Sequence, residues 1–432
     1  MSVNEYFKRQ WKNPIVLLLL SGFALFAKNG TAYTEASGIC PCFEQFADDF
    51  FTEQSQRNND TNFVFSPFAM QSFEDLVKLG FSDKPELPDD NFSEIMEDLK
   101  DSEAVKMEYK VHLPEGREIE PSRLALLQKK FPSTFVHIDD SNAWMMKAIE
   151  QHLRNLNELE KLMGNKQAPS EALVEINTEV NTDWLHPFDE QATKVAEFHT
   201  DDNRKVDMPF MHQVGNLRTA EMTDLQAKVI EMPFKNQNVS MWLYLPDEED
   251  GLDELEEKLK LRSLNSIEAS MSEREVDVLL PKFEDTHEMD LDGEISRSGL
   301  DYPLSQTDEA VTIQRPASKL QTKLAMYESL EAHRITDSEG EGHVIAKRHA
   351  ISLHTESSEN ADTEVKESGE EVEGEEQGES VGEVDVSCAT DDCLKFHAAH
   401  PFIYHVVYKH SDQVVPIVMG CFRNLNINID AP

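Results

Sequence analysis

The chain has 432 residues, 39% of them hydrophobic, with 23 Phe and 16 Met, which is enough apolar side chain for a large core in one or two domains. Its formal net charge of −43 argues against binding to nucleic acid or to heparin-like polyanions, because recognition of phosphate or sulfate needs a basic patch. A basic protein partner or a divalent cation is compatible with this charge.

The first segment has the pattern of a secretory signal. Lys8, Arg9 and Lys12 precede an apolar stretch over 14–27, which is shorter than a comfortable transmembrane span. An uncleaved membrane anchor is the alternative interpretation. No other apolar run approaches the ~18 residues that a membrane span needs. We therefore expect a secreted, extracellular protein without membrane contact once the signal is removed.

This interpretation divides the chain into two parts. We expect a signal peptide and pro-region over residues 1–32, followed by one domain over 38–432. Asn-x-Ser/Thr sequons are glycosylated in secreted proteins. Three such sequons make Asn59, Asn91 and Asn238 candidate glycosylation sites.

The cysteine pattern also fits an exported protein without a disulfide scaffold. Five cysteines are too few for such a scaffold, and their odd number leaves one unpaired or in an intermolecular bond. Cys388 and Cys393 are close enough in sequence to close a small loop. The spacing of Cys40 and Cys42 is awkward for a mutual bridge.

Helical periodicity dominates the first part of the domain. In chain order we predict a helix over 43–56, a buried strand at 63–65, a helix from Ser66-Pro67 to Gly80, helices near 92–99 and 141–163, and a strand over 108–114.

From Ala172 onward the pattern favours strands. We predict a strand from Leu173, an extended segment over 184–189, a hairpin of 228–234 with 239–246, a helix over 251–261, a strand over 275–283, and helical or irregular residues from Arg315 to Leu330. Mixed helices and strands without a clear linker predict a single large α+β domain.

An acidic segment near the C-terminus is the most distinctive feature. A strand-like run over 349–353 leads into residues 356–385, which contain thirteen Asp or Glu and one Lys. Such a composition repels itself and cannot bury apolar surface, so we expect an extended, solvated loop over 354–395. An apolar segment over 396–404 follows it, which makes it a loop and not a tail.

Motifs for catalysis or metal binding are weak. The G-x-S-x-G match at 378–382 lies inside the acidic run, without the strand-to-helix turn that the motif needs. The segment 290–293 resembles part of a calcium loop, but Gly299 stands where an acid is required, so we predict a solvated turn. We interpret His397, His400, His405 and His410 as strand and edge positions. We predict no enzyme activity, cofactor or metal site.

Taken together, several segments resemble the serpin family and occur in its order over about 44–424. They are Asn62-Phe63-Val64-Phe65-Ser66-Pro67-Phe68, Trp184 with Pro187-Phe188, the pair 228–234 and 241–246, Leu280-Pro281-Lys282-Phe283, Phe396 with His400-Pro401-Phe402, and Gly420-Cys421-Phe422-Arg423. The chain departs from the family pattern at Ala69, at Ala399 and just before Trp184.

The resemblance implies a fold with three β-sheets, eight or nine helices and an exposed reactive loop near the C-terminus. It also implies a monomer whose partner is an extracellular serine protease. In inhibitory members the protease cleaves the loop, and its N-terminal half then inserts as a new strand in the main sheet. Insertion requires small, uncharged residues at alternate loop positions, because those side chains become buried.

The hinge that the resemblance implies conflicts with this requirement. It comprises Glu356, Ser357, Ser358, Glu359, Asn360, Ala361, Asp362, Thr363 and Glu364. In one register the buried positions are Ser358, Asn360, Asp362, Glu364 and Lys366, and in the other they are Ser357, Glu359, Ala361, Thr363 and Val365. Each register buries at least one charge, at a cost of several kcal/mol per unpaired charge.

The position of the cleaved bond depends on the end from which it is counted. Counting forward from Ser357 places the bond near Glu371, whereas counting back from Pro401 places it at Thr390-Asp391. The difference indicates an insertion of about nineteen residues in the loop. A slack loop favours simple cleavage over inhibition. We take Thr390-Asp391 as the candidate bond, and a Cys388–Cys393 disulfide would enclose it.

Three functions remain open at this point. The family default is inhibition of a serine endopeptidase. The alternative is a non-inhibitory member, either a binding or carrier protein or a decoy that proteases cleave. A third is a calcium-loaded storage or matrix protein, for which calcium should raise stability beyond charge screening.

Overall fold

The structure is a computed structural model, and not every segment of the chain can be described from it. The described residues are 41–57, 61–100, 102–114, 118–131, 133–137, 172–202, 204–298, 300, 311–334, 388, 392–410 and 413–424. The predicted signal peptide over 1–32 and the predicted helix over 141–163 therefore lie outside them. All described residues belong to one compact unit, Cys40–Pro432.

Seven α-helices and one short 3₁₀ turn (Glu190–Ala192) lie in the described part of the chain. The helices are α1 (Pro41–Arg57), α2 (Pro67–Phe81), α3 (Asp90–Leu99), α4 (Pro121–Lys130), α5 (Leu252–Leu259), α6 (Leu264–Ser270) and α7 (Leu291–Ser298). The start of α2 follows from its sequence. Ser66 Oγ accepts the Ala69 N–H at 3.0 Å, and Pro67 needs no hydrogen-bond acceptor at the first helical position.

Fourteen strands complete the described fold. They are β1 (Phe63–Phe65), β2 (Val105–Leu113), β3 (Ser133–His137), β4 (Leu173–Asn181), β5 (Lys194–His199), β6 (Lys205–Met222), β7 (Ala227–Pro233), β8 (Val239–Pro246), β9 (Ser272–Pro281), β10 (Phe283–Met289), β11 (Ala317–Met326), β12 (Leu394–His397), β13 (Phe402–His410) and β14 (Gln413–Phe422). The α+β prediction is confirmed.

The strands form a five-stranded and a nine-stranded sheet. The smaller sheet has the order β10-β11-β4-β2-β3, and the larger has β1-β14-β13-β8-β7-β6-β9-β12 with β5 also paired to β6. The long strand β6 pairs with β5 over Lys205–Phe210, with β9 over Phe210–Thr219 and with β7 over Arg218–Met222. The larger sheet thus has two parts joined by β6, which accounts for the three sheets that the resemblance implied.

An aromatic core lies between the two sheets. The ring of Phe283 on β10 lies 4.2 Å from that of Phe422 on β14 and 6.2 Å from that of Phe402 on β13, measured between centroids. From the other side, Phe50 of α1 packs 5.2 Å from Phe65 of β1. These contacts fix the five-stranded sheet against the larger one.

Two sequence predictions are wrong. The residues after Arg315 form strand β11, because Ser318, Leu320, Thr322 and Leu324 alternate as buried positions in a central strand. The segment 290–293 is not a solvated turn, because α7 begins at Leu291 and its Asp292 is buried against Arg315.

The other described elements for which the sequence gives a prediction agree with it within a few residues. These include α1, β1, α2, α3, β2, β4, the hairpin of β7 and β8, α5 and β9. Within the described ranges, no helix combines the length and the apolar character needed to cross a bilayer.

Candidate functional site

The centre of the five-stranded sheet is a closed parallel pair. Strands β4 and β11 are in register over nine residue pairs, from Ala317 opposite Leu173 to Ala325 opposite Asn181. We call this pairing the seam. Because β2 borders β4 and β10 borders β11, the seam is the middle of the sheet. The chain leaves β11 at Met326 and enters the larger sheet at Leu394, so residues 327–393 connect the two sheets.

A buried ion cluster holds the start of β11. The Arg315 guanidinium donates from Nε to Asp292 Oδ1 at 2.7 Å and from Nη1 to Glu74 Oε2 at 2.8 Å, and Nη2 also donates to Glu74. All three side chains are buried. The guanidinium also lies 5.0 Å from the Phe73 ring centroid. Helices α2 and α7 are therefore tied to the same strand.

The first residue after β11 is hydrogen bonded through its backbone. We call residues 327–334 the exit segment. The Tyr327 N–H donates to Thr182 Oγ1 at 3.0 Å, and its carbonyl accepts from Thr182 Oγ1 and from Trp184 Nε1, both at 2.9 Å. Trp184 is itself fixed by stacking on Phe234, with ring centroids 4.9 Å apart. These bonds anchor the exit segment beside the end of β4.

The second residue of the exit segment is a buried acid. The Glu328 side chain is only 3% exposed and pairs with Lys282 Nζ at 2.7 Å. It also accepts from Thr193 Oγ1 at 2.9 Å, while its carbonyl accepts the Phe188 N–H at 3.0 Å. Burial opposes ionisation, but the hydrogen bonds and the Lys282 charge outweigh it and lower the Glu328 pKa. Glu328 is thus held as a carboxylate.

A helical turn then begins at Leu330. Leu330, Ala332 and His333 are buried, whereas Glu331 and Arg334 are exposed.

Strand β10 supplies an acid that joins this turn to Tyr327. Glu284 accepts from the Tyr327 hydroxyl at 2.6 Å and lies 3.6 Å from His333 Nε2. The hydrogen bond from His333 is the largest influence on the Glu284 pKa, which falls to about 2 despite partial burial. The turn is therefore packed onto the sheet by both apolar and charged contacts.

The other end of the connection is held differently. Cys388 and Cys393 form a disulfide with their Cα atoms 6.0 Å apart, and β12 starts at the next residue. Arg274 of β9 donates from Nε to the Asp392 carbonyl at 3.1 Å and from Nη2 to Asp392 Oδ1 at 3.0 Å. Asp392 is exposed, so this end is fastened at the surface.

Two histidines share the carboxylate of Asp277 on β9. His212 Nε2 of β6 lies 2.8 Å from Asp277 Oδ1, and His397 Nε2 of β12 lies 3.1 Å from Oδ2. Burial opposes ionisation of Asp277, but the hydrogen bonds from both histidines lower its pKa. The carboxylate therefore links three adjacent strands.

A family model described as "Serpin (serine protease inhibitor)" matches residues 43–424. The chain belongs to the serpin family. Among curated relatives it is 28% identical to Antichymotrypsin-2 of Bombyx mori over 262 residues, which are 56% of this chain and 70% of the relative. It is 24% identical to Alaserpin of Manduca sexta over 266 residues, or 56% and 67%.

Solved serpin structures share the fold. Manduca sexta serpin-12 superposes with a TM-score of 0.58 at 15% identity, covering 88% of this chain and 98% of that one. Residues 327–393 of this serpin lie between β11 and β12 in the sequence, and the described ones among them are 327–334, 388, 392 and 393.

The predicted hinge and bond of this serpin are not tested by the structure. The hinge over 356–364, the candidate bond Thr390-Asp391, the alternative bond near Glu371, the G-x-S-x-G match and Asn59 all lie outside the described residues. Of the predicted site residues, Cys388 and Cys393 are brought together, in the pairing that the sequence suggested.

The two described sequons have their amide nitrogens in protein contact. Asn91 Nδ2 is buried. Asn238 Nδ2 donates to Asp98 Oδ2 and to the Tyr408 hydroxyl, both at 3.2 Å. A glycan on either side chain would have to displace these surroundings.

The C-terminal histidines occupy separate places in the larger sheet. His397 lies on β12, His405 and His410 lie on β13, and His400 lies between these strands. His405 is enclosed by Phe51 and Tyr244, and burial lowers its pKa to about 3. It is therefore a neutral core residue.

Sequence reasoning missed the residues that fasten the exit segment. The sequence predicts Lys282 only as part of the Leu280–Phe283 motif and predicts no role for Glu328 or Tyr327. The available signal was the alternation of buried and half-buried positions from Ser318 to Leu324, shortly before Tyr327.

Proposed function

We propose that this protein is a secreted, non-inhibitory serpin. Its acidic connection between β11 and β12 would be a protease-cleavable decoy or a binding segment for a basic partner, and would not insert into the seam. The observation that carries this proposal is the sequence and packing of the exit segment.

The position of the hinge follows from the end of β11. In inhibitory serpins, insertion of the reactive loop begins where the chain leaves the strand next to the insertion position, which is β11 in this protein. That strand ends at Met326, so we place the hinge in the exit segment, which begins at Tyr327 and precedes Glu356 in the sequence.

Insertion of the exit segment would bury charged side chains. If the exit segment became a strand, one face would carry Leu330, Ala332 and Arg334, and the other Ser329, Glu331 and His333. Each face contains an ionisable side chain, and burying an unpaired charge costs several kcal/mol. The objection raised at the hinge over 356–364 therefore holds at the earlier position as well.

The contacts that hold the exit segment also oppose insertion. Insertion would have to break the Lys282–Glu328 pair, the backbone bonds of Tyr327 and the packing of His333 beside Glu284. It would also have to open nine residue pairs of the seam. Both requirements favour a loop that stays outside the sheet.

Serine protease inhibition is the competing function. Curated relatives carry the names Antichymotrypsin-2 and Antitrypsin, and the centre of the five-stranded sheet is a parallel pair of strands that a sixth strand would have to separate. Insertion into that position would stabilise the protein after cleavage, whereas cleavage of a non-inserting loop would not.

Thermal unfolding of the mature protein before and after loop cleavage separates these functions. A glutamyl endopeptidase would cut the acidic run, and the same protein incubated with inactivated protease is the control. We expect no rise in Tm and no covalent complex with trypsin-like or chymotrypsin-like proteases. A Tm rise of tens of degrees, or a protease complex stable in denaturing gels, would overturn the proposal in favour of inhibition.

A further inference from the structure

A cluster of three possible metal ligands lies next to the start of β12. It consists of Glu275, Cys388 and Cys393. The Glu275 carboxylate and the two sulfurs have ligand atoms within 4.8 Å of one another, and all three residues are half-buried. We propose that after reduction of the disulfide these residues form a three-ligand site for a soft divalent cation, Zn²⁺ or Cd²⁺.

Strand register explains why the three groups meet. Strands β9 and β12 run parallel, with Leu394 opposite Val276, so Cys393 lies next to Glu275 on the adjacent strand. Arg274 holds Asp392 through its carbonyl and its carboxylate, which fixes the residue before Cys393. The disulfide holds Cys388 beside Cys393 and therefore close to Glu275.

The distances suit a small cation. Zinc binds thiolate at ~2.3 Å and carboxylate at ~2.0–2.2 Å, so tetrahedral ligand atoms stand roughly 3.3–3.8 Å apart. The ligand atoms here are within 4.8 Å while the sulfurs are still bonded. Reduction lets the sulfurs separate, and shifts of about 1 Å then give the coordination geometry, with water as the fourth ligand.

The redox state decides whether the site exists. A phosphine reductant with water converts the disulfide into two thiols and becomes a phosphine oxide. Cation binding then releases one proton from each thiol, which leaves two thiolates and one carboxylate as ligands. While the disulfide is intact, Cys388 and Cys393 offer no thiolate. Reduction would therefore replace the disulfide that holds β12 with a bound metal ion.

Thiolate ligands also distinguish this site from general attraction of cations to an acidic protein. The net charge of −43 attracts any divalent cation weakly. Soft ligands select Zn²⁺ or Cd²⁺, whereas Ca²⁺ prefers six to eight oxygens. An excess of Ca²⁺ should therefore leave binding at this site unchanged.

The test is a cadmium titration of the full mature protein, oxidised and reduced. The reductant is removed under anaerobic conditions, and the thiolate-to-cadmium absorption and the heat of binding are recorded with excess Ca²⁺ present. We expect one additional equivalent of Cd²⁺ to bind the reduced protein compared with the reduced Cys388→Ser/Cys393→Ser variant. This variant keeps Cys40, Cys42 and Cys421, so it measures their background.

Charge variants complete the test. Glu275→Gln should weaken Cd²⁺ binding by roughly ten-fold or more through loss of one ligand. Glu273→Gln removes the same charge from the same face of β9 and should leave the affinity unchanged. The proposal is overturned if the reduced wild type and the double Ser variant bind the same amount of Cd²⁺, or if the two Gln variants are equally weakened. Neither outcome depends on whether the loop inserts.

Discussion

The two ends of the β11–β12 connection are fastened by different physical means. At the exit segment, buried groups such as Glu328 and His333 and the backbone of Tyr327 are held by non-covalent contacts in the sheet. At the β12 end, a disulfide and the exposed Arg274–Asp392 pair hold the chain at the surface. The first end is therefore fixed by the fold itself, and the second by local bonds that solvent can reach.

The largest expected effect is at the start of β11. Arg315→Met would leave Glu74 and Asp292 buried without the guanidinium charge, which should lower the free energy of unfolding by about 3–5 kcal/mol. Urea denaturation measures this loss. Arg334→Met is the matched control, because Arg334 is exposed and its ion pair within the described part of the chain is a surface pair with Glu103. This variant should change stability by less than about 1 kcal/mol. Equal losses in both variants would contradict the role of burial.

A smaller effect is expected within the exit segment. Glu328→Gln removes the buried charge that faces Lys282 and weakens the bond from Thr193, so we expect a loss of about 1–3 kcal/mol in unfolding free energy. Arg274→Gln makes the comparable change at the β12 end, where exposure limits the loss to less than about 1 kcal/mol. If Arg274→Gln proved the more damaging, the contrast between the two ends would be wrong.

The smallest effect concerns pH. The folded-state pKa of Glu284 is about 2, below its ordinary value of 4.5, so its contribution to stability is complete above pH 4.5 and is lost as pH falls towards 2. Because the side chain is 36% exposed, we expect about 1 kcal/mol after solvent screening. Denaturation of Glu284→Gln between pH 5 and pH ~2 should show a flatter profile than wild type.

A second variant, at the hydrogen-bond partner Tyr327, tests how much of the acid dependence comes from one contact of Glu284. Tyr327→Phe removes the hydroxyl that donates to Glu284 and leaves His333 in place, so it should reduce the acid dependence by part of the amount seen in Glu284→Gln. An acid dependence that is the same in wild type and both variants would assign it to other carboxylates.

Local patterns in the sequence predicted much of the fold. The α2 start followed from Ser66-Pro67, and the β7–β8 hairpin from two apolar runs separated by polar turn residues. Strand β11 was missed although Lys319, Gln321 and Lys323 alternate with buried positions, because its place at the centre of the sheet depends on pairing with Leu173–Asn181. That pairing joins segments far apart in the sequence, which periodicity within one segment does not detect.

The candidate site was predicted less well for the same reason. The Cys388–Cys393 bond joins near neighbours in sequence and was suggested by spacing alone. The contact of Glu328 with Lys282 depends on how β9, β10 and β11 are arranged, and the involvement of Glu275 depends on the parallel register of β9 and β12. Spacing carries information about the first kind of contact and none about the second.

The parallel direction of β4 and β11 has a further topological consequence. A chain that leaves β11 and turns back on itself runs opposite to β11, and therefore also opposite to β4. One reversal would thus bring it antiparallel to both neighbours at once, with hydrogen-bonding groups matched on its two edges. The direction of the backbone is therefore compatible with a sixth strand, so the proposed function depends on the contacts that hold the exit segment and close the seam.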